Sequence, residues 1–385
     1  MRKNKIKIYA ARTLMKLFYV VPVKKKIFFS SYEGKQFSCN PKYIFLRLRD
    51  RSDGLKLVYE YNDTKHIPEE LKGVTVVRHN SFQYFFHLLT AKVIVSNNAI
   101  SPKIPVRKPQ YVINTWHGGG AFKKVGIDID SKVNGMDIEM LKLTAEQTDL
   151  FLASSEGFYE GTGRGSCIPR ERVFFVGMPR NDILFTNSDK QAILNKKVRK
   201  FYGIDESEKI LLYAPTFRGN TRSATGITGD NLNWLEVKNA LESRFSGNWR
   251  LMFRGHYHSK EALKGIDGII DASTYPDMQE LLIASDALIT DYSSVIWDYS
   301  LTRKPGFLYC PDIEQYKDER DFYSPIEEWP YLCARSNNEL QSCILDYSED
   351  ANNVRCDQYL QKMCSYEDGC ASEIVSNKLI DFINH

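Results

Sequence analysis

Short apolar runs alternate along this chain with stretches whose apolar positions recur at helical spacing. Ile27 to Ser31, Lys56 to Tyr61, Thr75 to Val77, Val93 to Ser96 and Tyr111 to Asn114 read as strands. Pro41 to Arg49 and Phe82 to Ala91 read as helices between them. The alternation resumes with strand-like runs at Leu150 to Ala153, Val173 to Val176, Ile210 to Ala214, Arg250 to Phe253, Gly268 to Ile270, Ala287 to Thr290 and Phe307 to Tyr309. Strands alternating with helices predict parallel sheets covered on both faces. Since an open sheet rarely exceeds about ten strands, two doubly wound α/β domains are expected, with a boundary near Gly177 to Leu184. After Tyr316 the strand signal fades, and Glu339 to Tyr347, Asp350 to Cys364 and Gly369 to Asn384 read as helices.

The composition supports a globular reading, with 43% hydrophobic and 26% charged residues in a chain of 385. The net charge of +4 is unevenly spread. Residues 1–26 hold nine Lys or Arg and no acid, leaving 43 basic against 48 acidic residues beyond them. A nucleic-acid binder would carry its positive charge over a folded face, so nucleic acid is not an expected partner. A basic segment on a mildly acidic body points instead to an anionic membrane surface. Ile6, Ile8, Tyr9, Leu14, Leu17 and Phe18 approximate an apolar helical stripe there, and Lys24 to Lys26 extend the positive face; a helix docked on the body fits the same residues. The most apolar stretch, Ile8 to Val23, is broken by Arg12 and Lys16, so no membrane span is expected, nor is a secretory signal read. Eight scattered cysteines without a Cys-x-x-Cys pair favour a reducing compartment, the cytosol by default, and argue against a zinc site.

Three segments carry candidate chemistry. Asn114-Thr-Trp-His-Gly-Gly-Gly-Ala-Phe-Lys-Lys124 follows a strand, and its glycines let backbone amides approach a ligand while Lys123 and Lys124 offer charge to an anion. A flexible loop with a satisfied histidine fits the same residues. The His-Gly-Gly-Gly run is also found in esterase oxyanion loops, but this chain has no Gly-x-Ser-x-Gly elbow. Phe253-Arg-Gly-His256 places Arg254 and His256 at the carboxyl end of a strand, where open α/β sheets bind ligands; a surface turn is the plainer alternative. In the third segment, Asp277 to Asp298, a helix ends at Ser285, a buried strand follows, and Ser293 or Ser294 caps the next helix. Such a terminus offers amides, hydroxyls and a positive dipole end to a phosphate, with Asp298 one turn further on; ordinary capping with a solvated aspartate is the alternative.

Five blocks in this order and spacing resemble the CDP-glycerol glycerophosphotransferases, the primases and polymerases of wall teichoic acid and related capsules. They are Trp116-His-Gly with Lys123-Lys124, Gly177-Met-Pro-Arg-Asn-Asp182, Tyr213-Ala-Pro-Thr-Phe-Arg218, Arg254-Gly-His256, and Thr290-Asp-Tyr-Ser-Ser294 with Asp298. The resemblance runs from about Tyr32 to Tyr323. It implies a GT-B fold of two Rossmann-like domains facing a cleft, nucleotide bound chiefly by the C-terminal one, and peripheral association with the cytoplasmic face of the membrane. The expected division is a membrane-associating segment over 1–26, an acceptor domain over 27–177, a CDP-polyol domain over 178–365 and a C-terminal helix over 366–385.

Carried over by position, His117 is the implied general base, with Trp116, Gly118, Gly119 and Gly120 lining the donor pocket. Arg180, Pro215, Thr216, Arg254, Gly255, His256, Ser293, Ser294 and Asp298 match the implied CDP-glycerol contacts. Of these, Arg254, catalytic His256 and the two serines would neutralise the pyrophosphate as CMP leaves. Two positions depart from the pattern: Gly119-Gly120 stand where Thr-Pro is frequent, and Cys39 stands where Asp is common before Asn40-Pro41. The implied reaction is attack by a hydroxyl of a lipid-linked saccharide or polyol-phosphate chain on the β-phosphate of CDP-glycerol or CDP-ribitol, with no cofactor and no metal. A GT-B nucleotide-sugar glycosyltransferase and a non-catalytic membrane-binding scaffold are the alternatives.

Overall fold

A computed structural model describes residues 2–51, 54–129, 138–216, 232–255 and 268–384 of the chain. The chain divides into two compact units, one formed by residues 1–119, 125–182 and 366–385, the other by 120–124 and 183–365.

The first unit is built on β1 (Lys24–Ser30), β2 (Lys56–Glu60), β3 (Thr75–Val77), β4 (Ala91–Ser96), β5 (Tyr111–Asn114), β6 (Leu150–Ala153) and β7 (Val173–Phe175). All pairs are parallel, in the order β3-β2-β1-β4-β5-β6-β7. The central strand shows why its sequence reads as one unbroken apolar run. Ile27 and Phe29 pack with Ile44, Phe45 and Leu48 of the helix Cys39–Arg49 on one face. Phe28 points the other way, into Tyr84 and Leu88 of the helix Phe82–Leu89. A strand covered on both faces has no polar side to alternate with.

The second unit repeats the plan with β8 (Lys209–Tyr213), β9 (Trp249–Phe253), β10 (Ile269–Asp271), β11 (Ala287–Thr290), β12 (Gly306–Tyr309) and β13 (Leu332–Ala334), all parallel in the order β10-β9-β8-β11-β12-β13. Leu211 and Tyr213 face Val237, Leu241 and Leu340, whereas Ile210 and Leu212 face the opposite layer with Leu281 and Trp297. In both units the order reverses beside the first strand, between β1 and β4 and between β8 and β11. Ligands of doubly wound sheets bind outside the strand ends at that reversal.

Three expectations change. The strand signal does not end at Tyr316: β13 forms the edge of the second sheet, but three residues of mixed character, Leu-Cys-Ala, give too short a pattern to read. The C-terminal helix Ala371–Asn384 belongs to the first unit, where Val375, Leu379 and Ile383 join the core of the Cys39–Arg49 helix. Asp182 caps it, accepting from the amides of Ala371 at 3.0 Å and Ser372 at 2.7 Å, as an anion at a helix N-terminus should. The basic segment does not run to residue 26, because Lys24 already begins β1.

Lys26 is buried, its ammonium bonded to Thr90 Oγ1 at 2.5 Å and to His87 Nδ1 at 3.2 Å, and over the Phe86 ring. A run of three lysines hides a strand start because only the third turns inward. Further back, the residues from Arg12 to Val21 are docked on the first unit. Arg12 donates to the carbonyl of Pro102, the Tyr19 hydroxyl to that of Pro105, and Arg107 to that of Val21 while its guanidinium covers the Tyr19 ring. Leu14, Leu17 and Val20 remain exposed on this docked segment.

Candidate functional site

The expected site residues fall into two sets, one at the strand ends of each sheet. Trp116, His117, Gly118, Gly119 and Arg180 lie in the first unit; Gly120, Pro215, Thr216, Arg254, Gly255, Ser293, Ser294 and Asp298 lie in the second. His256 and Arg218 lie outside the described residues.

In the first unit, β5 ends at Asn114 and the chain turns through Trp116, whose φ of 53° is left-handed. The Asn114 side chain accepts from the Trp116 amide at 3.0 Å and stabilises the turn. The Trp116 ring stacks on the His117 ring, with centroids 4.9 Å apart and planes 16° apart. His117 Nδ1 lies 3.1 Å from the carbonyl oxygen of Asn97, the residue after β4. A carbonyl only accepts, so Nδ1 carries the proton, and in the neutral ring Nε2 holds the basic lone pair.

The loop around His117 is held at successive carbonyls. Asn40 donates its amide to the carbonyls of Thr115 at 2.9 Å and Trp116 at 3.1 Å. Arg180 donates to the carbonyl of His117 at 2.7 Å, and Ser154 donates to that of Gly119. The histidine therefore sits in an anchored turn, and the flexible-loop alternative falls away.

Arg180 is itself nearly buried, its amide bonded to Asn40 Oδ1 at 3.1 Å and its Nη1 3.6 Å from Cys39 Sγ. The aspartate common at position 39 in the resembled pattern would put a carboxylate beside this guanidinium; here a thiol stands in its place.

The glycine run changes unit between Gly119 and Gly120. In the second unit Phe122 is buried, stacked on Tyr359 and edge-on to Trp329, and the Tyr323 amide donates to its carbonyl. A Cβ on Gly120 would lie 2.3 Å from the Phe122 ring and 3.0 Å from Trp297 Cβ, so close approach demands glycine there. Lys124, expected to offer charge to an anion, is paired with Asp321 at 2.5 Å, which lowers the pKa of that carboxyl.

The second set borders the reversal between β8 and β11. Asp291, fully buried after β11, accepts from the amides of Thr216 at 2.8 Å and Tyr292 at 2.5 Å, and Thr290 donates its hydroxyl to the carbonyl of Ala214. Together they fix Pro215 and Thr216 beside the turn that carries Ser293 and Ser294. Both serines are half-buried; Ser293 Oγ accepts from the Val295 amide at 3.4 Å, and Ser294 holds the N-cap position without a side-chain cap bond. Arg254 follows β9, its amide on the carbonyl of Tyr213 and its guanidinium on those of Ala272 and Tyr275, while the Gly255 amide donates to Ser273 Oγ. Asp298 is not solvated: it is buried and accepts from the Gln279 side-chain amide at 3.0 Å.

Sequence reasoning missed Asn40, Asn97 and Asp291, which orient the site rather than decorate it. Asp291 stands inside a quoted block and Asn40 next to the Cys39 departure, so membership of the resembled pattern was the available signal. Asn97 acts on His117 through a main-chain carbonyl, which no residue type announces. Among the described residues no group of three or more His, Cys, Asp or Glu gathers as a metal site would.

Comparison with known proteins places this geometry. The profile of the family described as CDP-glycerol:poly(glycerophosphate) glycerophosphotransferase matches residues 13–381. The teichoic acid glycerol-phosphate transferase of Staphylococcus aureus is 30% identical over 394 residues, covering 97% of this chain and 98% of that protein. The teichoic acid ribitol-phosphate primase of Bacillus spizizenii is 29% identical over 378 residues, 94% and 93% of the two chains. Among solved structures, an H-to-A variant of the wall teichoic acid polymerase TagF superposes with a TM-score of 0.83 at 25% identity, over 99% of this chain and 95% of that one. A UDP-GlcNAc 2-epimerase from Neisseria meningitidis, at 12% identity and a TM-score of 0.53 over 92% of this chain and all of that one, shares the fold alone. With two parallel-sheet units, ordered site blocks and a family match over nearly its whole length, the chain belongs to the CDP-glycerol:poly(glycerophosphate) glycerophosphotransferases, transferases of polyol phosphate from a CDP-polyol.

Proposed function

We propose that this chain transfers glycerol phosphate, or its ribitol counterpart, from the CDP-polyol to a hydroxyl of a lipid-linked saccharide or growing polyol-phosphate chain, with His117 as general base. The observation that carries this reading is the Nδ1 contact to the Asn97 carbonyl, which leaves Nε2 as the proton acceptor. The acceptor oxygen forms a bond to the β-phosphorus as its proton passes to Nε2. The bond from that phosphorus to the CMP oxygen breaks, and CMP leaves with the electron pair. Phosphoryl transfer depends chiefly on positioning and on stabilising charge. Arg254, the hydroxyls of Ser293 and Ser294, and backbone amides near Thr216 are the described groups suited to the pyrophosphate; His256 completes the proposed set. The donor brings its own activated phosphate, so the reading calls for no cofactor.

The relatives include both glycerol- and ribitol-phosphate enzymes. Purified chain offered CDP-glycerol or CDP-ribitol with lipid-anchored acceptors, followed by CMP release and product mass, tests the reaction and names the polyol. Growth by one polyol phosphate means priming, and a ladder means polymerisation; CMP release with neither donor would overturn the proposal.

Peripheral binding at the cytoplasmic face of the membrane is proposed with it. No described helix is long and apolar enough to cross a membrane. Exposed Leu14, Leu17 and Val20 stand among exposed Lys16, Lys24 and Lys25, a pairing of apolar and basic groups suited to an anionic surface. Changing Leu17 and Val20 to Glu should abolish flotation with phosphatidylglycerol vesicles while a soluble acceptor is still used. Unchanged flotation would remove the segment from membrane binding.

A further inference from the structure

A second histidine sits at the same sheet edge of the first unit as His117, in an arrangement the proposed chemistry leaves unused. Glu60 ends β2 and is 1% exposed, yet it is a carboxylate at the ligand-binding edge of the sheet. Burying it is costly without partners, and it has two: the hydroxyl of Ser30 at the end of β1, and Nδ1 of His79 just beyond β3. Burial raises the pKa of Glu60, and those two hydrogen bonds oppose the rise.

The His79 backbone is fixed as well, its amide on Asn62 Oδ1 at 2.9 Å and its ring edge-on to Tyr84 at 5.1 Å. With Nδ1 engaged by Glu60, Nε2 has no partner among the described residues on a side chain that is 28% exposed. A histidine backed by a buried carboxylate and open at its other nitrogen is the arrangement that orients a base or a hydrogen-bonding ring toward a ligand.

The turn Tyr32–Gly34 joins this pair to His117. Three consecutive residues adopt left-handed φ there: Tyr32 at 49°, Glu33 at 57° and Gly34 at 75°. Such a turn persists only if its surroundings dictate it, and strain of this kind gathers at ligand sites. On one side, Gly34 presses on Glu60, where an added Cβ would lie 2.9 Å from Cγ, and Asn62 bonds the carbonyls of Glu33 and Gly34. On the other, the Tyr32 amide donates to Asn97 Oδ1 at 2.8 Å and its ring lies 6.0 Å from that of His117.

We propose that His79, oriented by Glu60, binds a hydroxyl of the acceptor, so that a polyhydroxylated end, saccharide or polyol, is held at this edge while His117 deprotonates the attacking oxygen. This rests on the polyol-phosphate reading above. The charges nearby select the class: Glu60 and Glu33 are acidic and Lys35 is drawn toward Glu33 at 3.9 Å, a field that disfavours phosphate and admits neutral hydroxyls.

Three variants separate binding from a merely structural pair. His79→Asn keeps a donor for Glu60 but has no atom at the Nε2 position; His79→Gln keeps a polar atom near Nε2; His79→Ala keeps neither. The measurement is steady-state CMP release from CDP-glycerol or CDP-ribitol, whichever the wild type uses, with two probes, an octyl-anchored tri(glycerol phosphate) and an octyl disaccharide. For the probe the wild type uses, Asn and Ala should both raise the acceptor KM by roughly three- to tenfold, the worth of one hydrogen bond, while Gln stays nearer wild type and the donor KM holds. The probe affected tells polyol from saccharide. Recovery by Asn and not by Gln, or an unchanged acceptor KM in all three, would overturn the proposal and leave the transfer reaction standing. Absence of CMP release by the wild type with both probes, from CDP-glycerol and CDP-ribitol alike, would bring down the polyol-phosphate reading, and this subsite with it.

Discussion

The carbonyl oxygen of Asn97 accepts a hydrogen bond from His117 Nδ1 at 3.1 Å, while the side chain of the same residue holds the amide of Tyr32 at 2.8 Å. Asn97 follows β4 and Tyr32 follows β1, so the bond spans the point where the strand order of the first sheet reverses. The second unit has a counterpart: Asp291, after β11, holds the amide of Thr216, after β8, at 2.8 Å. At each reversal a buried polar side chain ties the two strand ends that diverge there, and the candidate site residues hang from that tie.

Arg180 should act through position. Its guanidinium holds the carbonyl of His117 at 2.7 Å, and a small displacement of a base is expensive in rate. Arg180→Met is expected to lower kcat by roughly 10- to 100-fold with little change in CDP-glycerol affinity, read by CMP release and calorimetry. Lost donor affinity at unchanged kcat would instead make Arg180 a donor contact, as the sequence resemblance implies.

Asp291→Ala removes the acceptor for two amides in a fully buried setting. Unfolding in urea should show a loss of about 2 kcal/mol, and CDP-glycerol should bind more weakly as the Thr216 turn loosens. Asp291→Asn keeps one acceptor oxygen and should lose less than half as much.

Gly120→Ala forces a methyl group against Phe122 and Trp297. Overpacking of this kind costs roughly 1 to 3 kcal/mol, so the melting temperature should fall, measured by calorimetry. An unchanged midpoint would mean that Phe122 can leave its stack on Tyr359.

The pair formed by buried Lys26 and half-buried His87 should set part of the acid sensitivity. Burial, then Lys26, Lys56 and Lys24, push the His87 pKa from 6.5 down to about 4, while burial and the neighbouring lysines lower Lys26 to about 8. The unfolded chain therefore takes up a proton on His87 before the folded one does. This contribution to stability is fully present above pH 6.5 and is lost as the pH falls toward 4. Urea midpoints should drop between pH 7 and pH 5 for the wild type, and the drop should be smaller for His87→Gln.

Much of this architecture was legible because buried parallel strands leave a strong trace. Ile27 to Phe29 and Leu211 to Tyr213 are apolar at every position, and the blocks at their ends are spaced by the fold itself. What escaped reading has physical reasons. Lys26 is a buried lysine, sheltered by Thr90, His87 and the Phe86 ring, all of them distant in sequence. Edge strand β13 has too few residues for a pattern. Arg180 and Asp298, read as ligand groups, are also buried and bonded within their own units, which their residue types do not announce; Asn97 serves His117 with a backbone atom that every residue possesses. Long-range partners decide these roles, and a single sequence does not display them.

His117, with its proton on Nδ1, is the proposed base of the polyol-phosphate transfer. The most direct measurement is CMP release from CDP-glycerol or CDP-ribitol by wild type and His117→Ala, beside donor affinity and melting temperature for both. In His117→Ala turnover should fall by roughly 10² to 10⁴-fold with donor binding and folding retained. Near wild-type turnover in that variant would contradict the assignment.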